Sequence, residues 1–184
     1  MTSKSNAASS AIAIRPAQAS DFDTIAQIYQ PYVLETAITF DLEPPSPSAM
    51  RQRWQAVTAT GSPYLVAEAE GHVVGYAAAR PYAEKAAYAW TLEDSIYVDR
   101  AAHGKGIGSA LLRTLIDASE AAGFRQMLAL IAAGHSESSV ALHLRHGFVQ
   151  GGYFKALGYK HGHWHDVIYM QRALGQGDAS PPKL

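Results

Sequence analysis

The chain is expected to fold as an α/β sandwich built on a mixed β-sheet. Three observations carry this expectation. Apolar residues near the N-terminus recur at helical spacing. Two apolar runs then meet at Glu70–Gly71, which reads as a hairpin. Finally, a strand runs through a glycine-rich turn into an amphipathic helix, followed by strand, helix and two late strands. Two helices, a hairpin and then alternating strands and helices require one sheet with both antiparallel and parallel pairs.

Each element follows from local pattern. Residues 11–15 are a short apolar strand ended by Pro16, and Ser20 stands where a helix N-cap belongs. Ile25, Ile28, Tyr29 and Tyr32 then share one helical face, and Pro31 is expected to kink or end that helix. Residues 40–47 form a loop. Ser48 is the expected cap of a second helix reaching Val57, with Met50, Trp54 and Val57 turned inward. Strands follow at 64–69, 72–79 and 89–98. Ile107, Leu111, Leu112, Leu115 and Ile116 make the stripe of a helix over 107–122, and Gly123 suits its C-terminal cap. A strand at 127–132, a short helix at 138–146 and strands at 148–153 and 167–172 complete the order.

Bulk properties narrow the function. A length of 184 residues suits one domain, with residues 1–10 and 175–184 expected as disordered tails around a domain at 11–174. Fifteen Lys+Arg against sixteen Asp+Glu give a formal charge of −1, with no basic stripe for nucleic acid or a membrane surface. No apolar run approaches the roughly 20 residues of a membrane span. The chain has no cysteine, which excludes disulfides and thiolate chemistry and fits a reducing, cytoplasmic compartment.

The segment DSIYVDRAAHGKGIGSALL is the first with chemical content. Gly104, Gly106 and Gly108 allow a ligand close to the backbone. The unpaired N–H groups of the helix start, with Ile107 and Ser109 beside them, favour an anion, and Lys105 adds positive charge. A phosphate or pyrophosphate is the expected ligand. The glycine spacing is neither that of a Walker loop nor that of a dinucleotide fingerprint.

Here the chain resembles the GNAT superfamily of N-acetyltransferases. His103 to Gly108, HGKGIG, matches that family's [RQ]-x-x-G-x-[GA] loop except at His103, and the resemblance runs from about Ile12 to Leu174. Three further stretches resemble the phosphinothricin N-acetyltransferase-like branch: YAWTLEDSIYV, SVALHLRHGF and KHGHWHDV. The resemblance implies a GNAT fold, a mixed and mostly antiparallel sheet with helices on both faces. It implies acetyl-CoA as co-substrate, its pyrophosphate on the loop of His103, Gly104, Lys105, Gly106, Ile107, Gly108 and Ser109. The pantetheine arm would lie along Ile96, Tyr97 and Val98, as an added strand would. Ser136 stands where the wider family often has a CoA-contacting asparagine.

For the reaction, Glu93 is the expected base. Strand alternation sets Glu93, Ser95 and Tyr97 on one face and Asp94 on the other. An ordinary glutamate is far less basic than an amine, so burial, a water relay or binding of the neutral amine must help. The competing reading pairs Glu93 with Lys85 or Arg80. His143 stands where many family members have a tyrosine that protonates the leaving thiolate, so it either donates that proton, helps with the amine, or only packs. His146 is expected at the surface.

The branch implies a small amino-acid analogue as acceptor and a homodimer. Phe40, Lys85, Tyr88, Lys160 and Trp164 are the expected substrate-side residues, with Lys85 in place of a frequent arginine. Acetylation of a protein N-terminus or polyamine, or non-catalytic CoA binding, are the alternatives.

His161, His163 and His165 alternate beside Asp166 and on one strand face could hold a metal. The branch pattern, however, specifies Lys160, Gly162, Trp164 and Asp166 and leaves the histidine positions open. No metal is therefore expected.

Overall fold

A computed structural model describes residues 12–134 and 137–182. Seven strands form one sheet in the order β1-β2-β3-β4-β5-β7-β6. They are β1 (Ala13–Pro16), β2 (Tyr64–Ala69), β3 (His72–Pro81), β4 (Thr91–Val98), β5 (Gln126–Ala132), β6 (Val149–Lys160) and β7 (His163–Ala173). All neighbours are antiparallel except β4 and β5, which are parallel. Helices α1 (Phe22–Glu35) and α2 (Pro47–Ala59) cover one face, and α3 (Ile107–Ala121) and α4 (Glu137–Arg145) cover the other.

Each face has its own core. Leu111, Leu112 and Leu115 of α3 are fully buried against Ala77, Leu92, Met127 and Met170, each leucine worth about 1.5–3 kcal/mol of transfer free energy. On the other face, Phe22, Ile25 and Val33 of α1 pack with Tyr64, Val66 and Tyr76. Tyr29, Tyr32, Tyr76 and Tyr97 form a contiguous ring cluster there, with centroids 4.8–6.4 Å apart. Among the described residues, no helix is long and apolar enough to cross a membrane.

Several boundaries differ from the sequence expectation. Helix α1 runs through Pro31 to Glu35, because Tyr32 and Val33 continue its buried stripe beyond the missing N–H. Its start is organised by a 3-10 turn at Ala19–Asp21 rather than by Ser20, with Gln18 N–H donating to Asp21 Oδ2 at 2.7 Å. Ser46, not Ser48, caps α2, accepting from Ala49 N–H at 3.2 Å with Pro47 preset at the first helical position. A 3-10 turn at Ala86–Tyr88 delays β4 to Thr91.

The late hairpin is longer than local pattern suggested, because β6 and β7 pair out to Lys160↔His163. Residues 175–182, expected as a tail, turn back onto Arg125, which donates to the Gly177 and Pro181 carbonyls and to Ser180 Oγ. Residues 1–10, also expected as a tail, lie outside the described residues.

Candidate active site

The β4–β5 ladder is the origin of the site. It contains only Thr91↔Gln126, Leu92↔Met127 and Glu93↔Leu128. Both strands continue beyond this point, β4 held by β3 to Val98↔Gly75 and β5 by β7 to Ala132↔Val167. The sheet is therefore unzipped between β4 and β5 from Asp94 onward. Bonds of Asp99 N–H to the Val74 carbonyl and of Tyr82 N–H to the Thr91 carbonyl show that odd-numbered residues of β4 pair with β3. Ile96 and Val98 thus turn their backbone groups into the gap, whereas Tyr97 turns its own toward β3.

The glycine loop closes one end of this gap. Gly104 and Gly106 adopt φ of +76° and +78°, where a side chain would be strained. The first bond of α3 is Ala110 N–H to the Gly106 carbonyl, so the preceding N–H groups have no helix partner and face the loop. Gly104 and Lys105 are exposed, while the Ile107 side chain is buried in the core. Gly108 is half-buried, facing Leu142 of α4 and Val98.

Two predicted loop contacts are already engaged within the chain. His103 Nε2 lies 2.9 Å from Tyr32 Oη and 3.1 Å from the Val98 carbonyl oxygen, to which Tyr32 also donates at 2.6 Å. Ser109 Oγ lies 2.8 Å from Nε2 of His146, which is half-buried rather than on the surface. Ser136 lies outside the described residues.

Glu93 and His143 stand on opposite sides of the sheet. Glu93 is 9% exposed on the α1/α2 face, and Arg80 Nη2 donates to its Oε1 at 2.7 Å. Of the two cations expected as possible partners, Arg80 makes this bond and Lys85 does not. Tyr169 of β7 is near enough to Glu93 and Tyr82 for their charges to help burial raise its phenol above the usual range. Phe154 packs edge-on against Tyr169 at 4.8 Å.

His143 lies on the α3/α4 face, 4% exposed, with Nε2 3.0 Å from Asp94 Oδ2 and Nδ1 2.7 Å from the Ser139 carbonyl oxygen. Burial alone would lower the His143 pKa. The Asp94 hydrogen bond and charge, aided by Ser139, outweigh it, and the value is raised above the ordinary one.

The loop between α1 and α2 meets the β6–β7 hairpin on the Glu93 face. Lys160 is 2% exposed, and its Nζ donates to the Thr39 carbonyl at 2.7 Å. Burial lowers its pKa, partly offset by the charge of Asp41. Thr39 Oγ1 is in turn 2.5 Å from Tyr29 Oη. The exposed Phe40 ring lies over Gly158, with its centroid 6.1 Å from that of His165.

Not every expected substrate-side residue joins this group. Lys85 and Tyr88 lie exposed on the β3–β4 connection, with Tyr88 edge-on to Tyr82 at 5.5 Å. Trp164 is 66% exposed, with its ring tilted against Tyr159 at 5.2 Å, and strand alternation places it on the face opposite Lys160's neighbour His163. Within one chain it points away from Glu93.

The histidine segment does not present three imidazoles on one face. His161 and Gly162, with φ of +51° and +78°, form the tight turn of the hairpin, leaving only His163 and His165 on β7. Among the described residues, no group of three His, Asp or Glu is placed to share a metal ion.

Gly158 and Tyr169 were given no role by the sequence, and Arg80 stood only as a possible partner of Glu93. Glycine at 158 carried no local signal, and Asp94 was set aside because alternation turned it from Glu93.

Similarity to known proteins agrees with this geometry. The acetyltransferase (GNAT) family profile matches residues 23–148. Phosphinothricin N-acetyltransferase of Alcaligenes faecalis is 40% identical over 94% of this chain and 88% of its own. An L-methionine sulfoximine/L-methionine sulfone acetyltransferase of Pseudomonas paraeruginosa is 36% identical over 91% of this chain and 98% of its own. The crystal structure of a phosphinothricin acetyltransferase from Sinorhizobium meliloti, in complex with AcCoA, superimposes with a TM-score of 0.90 at 45% identity, covering 94% and 93% of the two chains.

Proposed function

Since the chain belongs to the GNAT acetyltransferase family, we propose that it transfers the acetyl group of acetyl-CoA to the amine of a small amino acid or analogue of the phosphinothricin or methionine sulfoximine type. The observation that carries this reading is the β4–β5 gap, which opens beside Glu93 and has the glycine loop at its other end.

The pantetheine amides would bond the backbone of Ile96 and the N–H of Val98, whose carbonyl is held by Tyr32, and the pyrophosphate would lie on the N–H groups from Gly104 to Ser109. The thioester then reaches the point where the strands part. Acetyl-CoA supplies the activated acyl group. Everything else is positioning and proton management by the chain.

The acceptor enters from the α1/α2 face, between the Phe40 loop and the β6–β7 hairpin. Arg80 holds one oxygen of Glu93, leaving Oε2 to take a proton from the amine directly or through water. The reading includes direct attack in a ternary complex, with the two substrates approaching the gap from opposite faces. The departing thiolate is on the side of His143.

The same reading includes a homodimer and a cytoplasmic location. The β6–β7 hairpin exposes Val149, Tyr153, Phe154, Leu157, Tyr159 and Trp164, an apolar surface suited to a second copy. Light scattering should give about twice the 19.8 kDa chain mass, and a monomer would remove the dimer from the reading. The cysteine-free composition fits a reducing compartment.

Thiol release from acetyl-CoA tests the activity, with L-phosphinothricin, L-methionine sulfoximine, L-methionine sulfone, ordinary amino acids, spermidine and a short peptide as acceptors. Turnover on the first three, lost in Glu93→Gln with acetyl-CoA binding retained, is the expected result. Turnover on spermidine or the peptide alone would overturn the acceptor class.

A further inference from the structure

We propose that the Tyr169 hydroxyl is a specificity-determining donor that binds the oxygen on phosphorus or sulfur at the far end of the acceptor's side chain. The proposal rests on the acceptor class proposed above, while its geometry stands on strand register.

Glu93 and Tyr169 share the α1/α2 face. The register pairs Glu93 of β4 with Leu128 of β5, and Leu130 of β5 with Tyr169 of β7. Met127, Ala129 and Ile131 belong to the core under α3, so Leu128 and Leu130 turn to the other face. Tyr169 turns the same way, because Ile168 and Met170 on either side of it pack into the α3 core. Leu128, Leu130 and Tyr169 are each half-buried. The leucines make an apolar floor with a carboxylate at one end and a phenol at the other.

The Tyr169 ring is held from the β6 side. Its register partner on β6 is Gly152, which has no side chain to stand beside it. Phe154 fills that place: a Cβ at 152 would lie 2.9 Å from Phe154 Cε2, and the Phe154 ring meets Tyr169 edge-on at 4.8 Å. The hydroxyls of Tyr29, Tyr32 and Tyr153 are all hydrogen-bonded, but that of Tyr169 makes no hydrogen bond among the described residues. A half-buried O–H without a protein partner is available to a ligand. Burial, Tyr82 and Glu93 all raise the Tyr169 pKa, so the phenol keeps its proton at neutral pH and acts as a donor.

Spacing selects the group it meets. Two strand spacings of about 4.8 Å and a two-residue step of about 6.6 Å put the Cα atoms of Glu93 and Tyr169 roughly 12 Å apart. With the amine at Glu93 and a hydrogen bond of about 2.8 Å at each end, the phenol meets a group far from the amine. The acceptor's carboxylate is attached to the carbon that bears the amine and is too near. The oxygens on the phosphorus of phosphinothricin or the sulfur of methionine sulfoximine stand at the end of the side chain, with its methylene carbons over Leu128 and Leu130. A plain thioether accepts hydrogen bonds only weakly and gains little from the phenol.

The test compares L-methionine sulfone with L-methionine, which differ only in the sulfur oxygens, on wild type and Tyr169→Phe. Phenylalanine keeps the ring against Phe154, so the melting temperature should not change. The kcat/KM for the sulfone should fall about tenfold, while that for L-methionine stays within about twofold. The acetyl-CoA Kd should be unchanged. Calorimetry of sulfone binding to the CoA-loaded chain reads the same contact without turnover, and Tyr169→Phe should bind about tenfold more weakly.

An unchanged sulfone-to-methionine ratio in an active Tyr169→Phe overturns the proposal and leaves the acetyltransferase reading standing. Failure of the wild type to bind the sulfone overturns it as well. A sulfone that binds more weakly to Tyr169→Phe, yet is not acetylated by the wild type, would instead overturn the acetyltransferase reading and leave the Tyr169 contact standing.

Discussion

Phe40 covers Gly158 so closely that a Cβ at position 158 would lie 2.5 Å from the Phe40 ring. The contact joins the α1–α2 loop to the β6–β7 hairpin, and both border the acceptor side of the site. Gly158→Ala should push the exposed Phe40 ring out of place with little loss of stability, since the clash falls on the outer atoms of the ring. The expected outcome is a raised KM for the acceptor with an unchanged acetyl-CoA Kd, measured by steady-state kinetics and calorimetry. An unchanged acceptor KM would remove Phe40 from the pocket wall.

Lys160 fastens the same loop from below through the Thr39 carbonyl. Lys160→Ala leaves that carbonyl without its partner and opens a space in a buried site, destabilising the fold by about 1–3 kcal/mol. Denaturant melts should show this loss, and the acceptor KM should rise as in Gly158→Ala.

Glycine is required at 106 by backbone shape, since φ is +78° at the entry to α3. Gly106→Ala should cost about 1–2 kcal/mol locally and tilt the N–H groups that receive the pyrophosphate. Acetyl-CoA affinity should fall roughly tenfold, while Glu93→Gln leaves it intact. Equal affinity in Gly106→Ala and wild type would place the pyrophosphate elsewhere.

Arg80 is the partner of Glu93, yet its side chain is 56% exposed. Such a bond adds at most about 1 kcal/mol to stability, so Arg80→Ala should melt close to wild type. Its effect should appear in kcat, about tenfold lower, because the Glu93 carboxylate loses the contact that orients it. A kcat equal to wild type would make the pair structural only.

The raised His143 pKa sets a pH dependence of stability. Its contribution is fully present below the unfolded value of about 6.5 and is lost as pH rises through the higher folded value. The urea midpoint of the wild type relative to His143→Gln should therefore decline from pH 6 toward pH 9. A difference that grows with pH would contradict the Asp94 pairing.

Local sequence by itself determined the strand–glycine loop–helix unit, the alternation separating Glu93 from Asp94, and the helical position of His143. Those features depend on neighbours a few residues away, and backbone geometry leaves them little choice. Tertiary structure alone decided which partners these residues meet. Asp94 and His143 are 49 positions apart, and Lys160 and Thr39 are 121 apart. Such contacts follow from the order and register of the strands, which no local pattern encodes. The same holds for the histidine segment: its alternation promised one shared face, and the turn at His161–Gly162 divided it, because hairpin register decides where a strand ends.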